Sequence, residues 1–455
     1  MSISSRFQPR QAILELGDDF YDVVAPAQFP QHLLRFRNDR AASTVGLDTL
    51  TNAEWIDHFG RFTPLPGSLE QPLALRYHGH QFRSYNPDLG DGRGFLFAQM
   101  QDDVGRLLDL GTKGSGQTPW SRFGDGRLTL KGGMREILAT EMLEALGVTT
   151  SRSFSLIETG EALERGDEPS PTRSSVLVRL SHGHIRYGTF QRLATLGQTD
   201  NIRKLTRYVL THLLGQQPGA EPEVQLLAHA VEGAARLVSE WHAAGFVHGV
   251  LNTDNISLTS ESFDYGPWRF LPRFDPAFTA AYFDTLGLYA FGRQAEALQW
   301  NLGQLAGALA QATPVEALIP ALEPLPQRIS EYYRRQVMWR LGLVRGEESS
   351  EAALIRAFEV GLRESGIQPD LAWYQFRGGR VPDNAHPAFG PFVEKIAGFV
   401  AMPDALNHSY WQRGAPVTML IEDVEAIWSP IAESDDWQPF EAKVAAIRDM
   451  GDAHR

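Results

Sequence analysis

A chain of 455 residues with no cysteine and a formal net charge of −13 can form no disulfide, thiolate metal site, CxxC redox pair or cysteine nucleophile, and its overall field opposes unspecific binding to nucleic acid or anionic lipid. With 43% hydrophobic and 21% charged residues, and no apolar run near the ~18 residues of a membrane span, the composition excludes nucleic acid and membrane as expected partners and allows two or three compact units. The opening stretch "MSISSRFQPRQAILELGDDFYDVV" has no basic segment leading into an apolar one, so a cytoplasmic address is expected. Charge is unevenly spread. Between Gln71 and Phe190 fourteen Lys or Arg match fourteen Asp or Glu, so the remainder holds the whole deficit and any polyanion site is expected inside that window.

Residues 1–70 mix Pro/Gly-rich pieces with one helix expected at Asn52 to Phe59, started by Thr51 as N-cap, and read as an N-terminal extension packed on something else. From 71 to 195 the texture changes to short apolar runs between glycine turns: "GFLFAQM", "RLLDLGTKG", "GRLTLKG", "SFSLIETG" and "SSVLVRL". These predict a five-stranded twisted antiparallel sheet. One helix interrupts it in "GGMREILATEMLEALG", with Met134, Ile137, Leu138, Met142 and Leu146 at helical spacing and Gly147 as its stop. Residues 196–455 read as a mainly helical body, including "NIRKLTRYVLTHLLG", a long helix from Pro222 to Gly245, and "FDTLGLYAFGRQAEALQWNLGQLAGAL". The expected class is α+β, with a small antiparallel β part, one key helix and a larger α-helical part.

Several residues in this frame suit phosphate chemistry. Lys113 follows a strand-like run and Glu136 lies near the start of the only helix of its region, a setting for an ion pair that holds a lysine beside phosphates. Glycine clusters at "LGDGRG" (Gly90, Gly92, Arg93), "GTKGSG" and "FGDGR" (Asp125, Gly126) permit close backbone approach to phosphate oxygens, though each taken alone reads first as a hairpin turn. Arg179 and Arg186 sit in stretches suited to burial and need an anionic partner, either a carboxylate or a phosphate. The pairs His78/His80 and His182/His184 lack the i, i+4 spacing of a zinc pair and read as hydrogen-bonded structural histidines. In "FVHGVLNTDNISL" and the following "DYG", residues 248–255 and 264–266, Asn255 and Asp264 are hard oxygen ligands suited to Mg²⁺, and Asp254 can accept a proton from an incoming hydroxyl. The spacing of His248 and Asn255 resembles a protein-kinase catalytic loop, with Val250 where the proton-accepting Asp would stand. A hairpin turn is expected between that loop and Asp264.

The runs "HGHQF", "LGDGR", "KGSGQTPWSRFGDGR", "REILATE", "HGHIRYGTF", "HGVLNTDN" and "DYGP", in this order over residues 77–267, closely resemble the selenoprotein O (SelO, or YdiU) family. The resemblance implies a protein-kinase-like two-lobed fold that binds ATP inverted, so that the α-phosphorus faces the acceptor, and transfers AMP to protein hydroxyls. It implies that Lys113 and Glu136 are the lysine and its helix partner, that Gly90, Gly92, Arg93, Asp125 and Gly126 hold nucleotide, and that Arg179 and Arg186 hold the reversed phosphate tail. Asp254 matches the proton acceptor, and Asn255 and Asp264 the metal ligands. The stretch "YHGHQFRSYNPDLGDGRGFLF" departs from the commoner "YAGHQFGxWxPQLGDGR", and with no cysteine present redox control through the Cys or selenocysteine pair of longer members is not expected. The expected partners are ATP and proteins bearing Ser, Thr or Tyr hydroxyls, with Mg²⁺ or Mn²⁺ as cofactor. The alternatives are UMP transfer from UTP with Mn²⁺, a conventional kinase, and a non-catalytic nucleotide-binding scaffold.

Overall fold

The computed structural model describes residues 3–166 and 168–455. Its first part is a nine-stranded sheet. The sheet strands are β1 (Gln8–Arg10), β2 (Tyr21–Val23), β3 (Leu33–Arg37), β4 (Leu73–Leu75), β7 (Leu96–Gln101), β8 (Leu107–Lys113), β9 (Leu128–Thr129), β10 (Arg152–Leu163) and β11 (Thr172–Ser181), while β5 (Gly79–Gln81) and β6 (Ser84–Asn86) form a separate hairpin. The main order is β2-β4-β7-β8-β11-β10-β3, with β1 beside β7 and β9 beside β11, and each pair is antiparallel.

Four of the five expected runs are strands. "GRLTLKG" yields only two strand residues, because the Thr129 side chain accepts the Gly132 N–H and starts a helix there instead. The larger difference is that residues 1–70 contribute three strands of the sheet. They also supply α1 (Asp39–Ser43) and α2 (Asn52–Phe59), the latter opened by Thr51 in a capping box with Glu54. Trp55 and Phe59 of α2 pack on Phe154 and Phe97, with ring centroids 4.9 Å apart for Trp55–Phe154. The extension therefore covers one whole face of the sheet.

The other face carries α3 (Leu130–Ala145). Strand alternation sorts the contacts: Val176 and Val178 belong to the cluster under α2, and Leu177 between them belongs to the cluster under α3. Met134, Ile137, Leu138 and Met142 are fully buried, each contributing about 1.5–3 kcal/mol through burial. A β-carbon on Gly133 would lie 2.4 Å from Leu156 Cδ1 and 2.8 Å from Ser175 Oγ, so glycine lets the first turns of α3 lie directly on the strands.

The second part is helical: α4 (Tyr187–Thr195), α5 (Thr199–Tyr208), α6 (Pro222–Ala244), α7 (Gln294–Leu309), α8 (Val315–Leu322), α9 (Leu325–Leu341), α10 (Glu348–Ser365), α11 (Pro369–Phe376), α12 (Gly390–Ile396), α13 (Ile421–Ser434) and α14 (Gln438–His454). After α5 one turn widens to a π-helix at Val209–Leu213. The expected helix beginning at Phe283 starts only at Gln294. Asp284 takes the backbone N–H groups of Leu288 and Tyr289 on its carboxylate, both at 2.8 Å, and Gly287 adopts φ +62°, which folds that stretch into a loop. No described helix is long and apolar enough to cross a membrane.

Helix α14 returns to the first part and lies on α3. Arg448 clasps Glu141 at 2.6–2.7 Å, and a β-carbon on Gly451 would sit 3.2 Å from Ala145 Cα. At its end His454, 7% exposed, lies between the rings of Trp339 and Trp411 with Nδ1 2.9 Å from the Met450 carbonyl. Burial, with Arg377 and Arg340 nearby, pushes its imidazole down to about 3. The unfolded chain takes up this proton near pH ~6.5 and the folded chain only near its depressed value. The stabilisation is therefore complete above pH ~6.5 and is lost as the pH falls toward 3. Urea unfolding of the wild type should show its midpoint dropping across that window, with a flatter dependence in His454→Phe. Parallel curves for the two proteins would remove His454 as the cause.

Candidate functional site

Lys113 ends β8 and Arg179 lies near the end of β11, with Leu177 opposite Lys113 and Arg179 opposite Gly111. Odd-numbered side chains of both strands face α3, so both cations point at its Glu136. Lys113 Nζ ion-pairs with Glu136 and donates to Asp264 Oδ1 at 2.8 Å. Arg179 Nη1 lies 3.8 Å from Glu136 Oε2 and 3.6 Å from Asp264 Oδ1. Arg186 at the N-cap of α4 donates to the Asp254 carbonyl at 2.8 Å and to Asp91 Oδ1 at 3.3 Å, and reaches to 3.8 Å from Asp264 Oδ2. Its guanidinium stacks between Tyr77 and Phe263, 4.4 and 4.9 Å from the ring centroids.

The glycine clusters fold against one another as well as against the cavity. A β-carbon on Gly90 would fall 2.4 Å from the Trp120 ring, on Gly92 2.8 Å from the Trp120 carbonyl, and on Gly126, at φ +71°, 2.3 Å from the Gly116 backbone. Their first requirement is thus the tight layering of two loops. Gly116 N–H bonds to the Gly126 carbonyl at 3.2 Å, and Trp120 Nε1 ties the layer to Asp22 at 2.9 Å.

The long helix α6 stops at Gly245 in the left-handed conformation, and the chain passes through β12 (Phe246–Val247), paired with β13 (Arg269–Phe270), into the loop carrying Asp254. His248 is buried and holds the loop to the Phe263 carbonyl through Nε2 at 2.9 Å. A hairpin between Asn255 and Asp264 was expected and is not formed. The two arms of that stretch pair with different neighbours, Tyr187 N–H with the Ile256 carbonyl and Ser262 N–H with the Thr149 carbonyl, so only a turn at Ser257–Ser260 joins them. Asp264 has φ +62°, a conformation that Asp tolerates better than most side chains and that turns its carboxylate toward the three cations.

These elements enclose a cavity of about 590 Å³ lined by Gly90, Gly92, Arg93, Lys113, Asp125, Gly126, Arg179, Arg186, Asp254 and Asp264. Glu136 stands one layer behind, 1% exposed. Asn255 is not part of the lining; its amide N–H donates to the Val250 carbonyl at 3.1 Å, so only its carbonyl oxygen is left to face a ligand. The lining also includes Asp91, Arg122, Arg127 and Arg165, which the sequence reading passed over, although Asp91 lies inside the quoted "LGDGRG". Seven Lys or Arg against four Asp make the cavity strongly positive.

Burial would raise the Asp264 carboxyl, but Lys113, Arg179, Arg186 and Arg93 hold it well below the usual carboxylate range. Burial pushes Asp254 up to about 6 against the pull of Arg186. Arg179 Nε and Nη1, Arg186 Nε and Asp254 Oδ1 are buried with no hydrogen-bond partner among the described residues. Three unsaturated donors and one unsaturated acceptor fit a multi-oxygen anion beside a hydroxyl. Ionised Asp264 and the Asn255 carbonyl oxygen, which no described residue engages, are hard oxygen donors of the kind that suits a divalent cation.

Among the described residues no group of three or more His, Asp or Glu converges on one point. His78 shares a 2.6 Å hydrogen bond with the Tyr85 hydroxyl, His80 accepts from Gln191 at 2.7 Å, and His184 meets Asp109 at 3.2 Å. The His182 backbone N–H reaches Glu261 at 2.7 Å.

A sequence model of the family described as protein adenylyltransferase SelO matches residues 3–376. The protein nucleotidyltransferase YdiU of Gloeobacter violaceus is 45% identical over 462 residues, covering 96% of this chain and 94% of the relative. That of a Synechocystis strain is 42% identical, with 96% and 97% covered. A more distant relative of the same name, from Aeromonas hydrophila, is 34% identical over 93% of this chain and 90% of its own length.

Proposed function

Since the chain belongs to the family of the protein adenylyltransferase SelO and is with it a nucleotidyltransferase, we propose that it transfers AMP from ATP to Ser, Thr or Tyr hydroxyls of proteins, using a kinase-like cleft with the nucleotide reversed. The sheet with α3 acts as the small lobe and the helical body as the large one. The acceptor oxygen attacks the α-phosphorus, the bond from that phosphorus to the β-phosphate oxygen breaks, pyrophosphate leaves with the bond electrons, and the hydroxyl proton passes to the Asp254 carboxylate. Lys113, Arg179 and Arg186 hold the two outer phosphates and receive the charge that develops on them. Glu136 keeps Lys113 and Arg179 aimed. Asn255 and Asp264 would hold Mg²⁺, or Mn²⁺, whose chemistry when bound is to neutralise phosphate charge.

The observation that carries this reading is the set of unsaturated, buried guanidinium N–H groups of Arg179 and Arg186, two residues of the cavity lining, with an unsaturated carboxylate oxygen of Asp254 in the same lining. A triphosphate tail satisfies the first, and a substrate hydroxyl the second. Val250 supports the reversed pose, because the position where an ordinary kinase carries its base has no titratable group.

ATP labelled at the α- or the γ-phosphate, incubated with protein acceptors, separates the readings when product masses are measured intact. Retention of the α-label with a mass gain of one AMP is expected. A gain of one phosphate retaining the γ-label would make the protein a conventional kinase. Thermal stabilisation by ATP without label transfer would leave a nucleotide-binding scaffold. The phosphate contacts do not read the base, so competition between ATP and UTP under Mg²⁺ and Mn²⁺ completes the assignment.

A further inference from the structure

The loop between residues 275 and 293 is held firmly and yet leaves large apolar side chains in water. Asp284, 5% exposed, takes two backbone N–H groups of its own loop, Phe291 N–H bonds to the Phe278 carbonyl and Gly292 N–H to the Pro276 carbonyl, both at 2.9 Å. Tyr289 donates its hydroxyl to Asn252 Oδ1 at 2.8 Å. On this frame Tyr282 is 86%, Leu286 87% and Phe283 48% exposed, and Phe82 from the β5–β6 hairpin, 37% exposed, packs its ring 5.8 Å from that of Phe283. A rigid contiguous patch of this kind is costly in water and marks a contact surface.

We propose that Phe82, Tyr282, Phe283 and Leu286 form the docking surface for the acceptor protein, which presents its hydroxyl in a segment that also carries a large apolar residue. The proposal rests on the nucleotidyl-transfer reading of the adjacent cavity. Continuity with that cavity selects the occupant. Asn252 Oδ1 receives both the Phe82 N–H, at 3.0 Å, and the Tyr289 hydroxyl, so both sides of the patch are pinned to the loop that two residues later bears Asp254. The hairpin lies on Asp254 itself, since a β-carbon on Gly79 would fall 2.9 Å from Asp254 Oδ1. A segment resting on the patch thus enters the cavity beside the proton acceptor.

Charge adds no selection: Arg83 and Arg293 both pair with Glu296, at 2.8 and 3.0 Å, and Asp284 also acts on Arg293, so two guanidiniums face two carboxylates.

The test uses synthetic peptides with a central Ser, Thr or Tyr and every flanking position scanned, read by transfer from α-labelled ATP and, in fluorescent form, by anisotropy. Expected is selection for a large apolar residue near the hydroxyl. The triple variant Tyr282→Ser/Phe283→Ser/Leu286→Ser should raise the peptide KM at least tenfold with the KM for ATP unmoved. Equal peptide kinetics in wild type and triple variant, with transfer intact, overturns the docking surface and spares the transfer reading. If the wild type transfers nothing, anisotropy decides: tenfold weaker peptide binding by the triple variant upholds the surface, and equal binding overturns it. A shift from dimer to monomer in the triple variant at unchanged peptide KM assigns the patch to a second copy of the chain, and this too overturns the proposal.

Discussion

Asp264→Asn is expected to reduce nucleotidyl transfer by about 1,000-fold or more while leaving nucleotide binding in place. Among the described residues Asp264 is the one carboxylate that meets Lys113, Arg179 and Arg186 together, and it is the charged ligand proposed above for a divalent cation; loss of a single group of this kind from a preorganised site costs about 100- to 1,000-fold, and loss of a metal would add to it. The effect on binding has the opposite sign. The Asp264 carboxylate competes with phosphate for the same three cations, so metal-free ATP should raise the melting temperature of the variant at least as much as that of the wild type. The free variant should in turn melt earlier, because buried cations lose their counterion. Wild-type turnover in Asp264→Asn would contradict the assignment outright, and loss of ATP-induced stabilisation together with activity would show that the carboxylate builds the cavity rather than serving the reaction.

Asp254→Asn should lower kcat by about 100- to 10,000-fold, the usual worth of a positioned general base, with the KM for ATP nearly constant. The separation follows from which atoms are used. Arg186 reaches the Asp254 backbone carbonyl, which the substitution keeps, and the carboxylate oxygen Oδ1 has no partner to lose. A rise in the KM for ATP matching the fall in kcat would mean that the side chain holds nucleotide and that the proton leaves by another route.

Much of the site was legible in the sequence because its groups sit at chain positions with strong local signatures. Lys113 ends an apolar run, Glu136 is the seventh residue of a helix flagged by a glycine pair and helical spacing, and Asp254, Asn255 and Asp264 lie in the irregular stretch that follows a long helix. Local patterns also revealed the Thr51 N-cap and four of the nine strands of the sheet. What they could not reveal depends on distant contacts. The strands at residues 8–10, 21–23 and 33–37 are short, and the first and last of them are only partly buried, so no alternation marks them as sheet. Arg122 and Arg127 line the cavity from the loop that folds over the other glycine segments, and Arg165 arrives from the β10–β11 connection to pair with Asp125 at 2.8 Å. The stretch from Phe283 has helical spacing but is overruled by one buried aspartate that bonds its own loop. The hairpin expected before Asp264 failed for a related reason, since its two arms find better partners on separate segments.

The clasp of Arg448 on Glu141 joins positions 307 residues apart. At about 5–20 residues per second of synthesis, the ribosome needs on the order of 15–60 s after finishing α3 before the helix that covers it exists. During that interval the sheet can already be complete while the outer face of α3 stays bare to chaperones and proteases. A ribosome stalled before residue 438 would therefore display a nascent chain in which Lys113 and Glu136 exist but the Arg448 clasp on α3 does not.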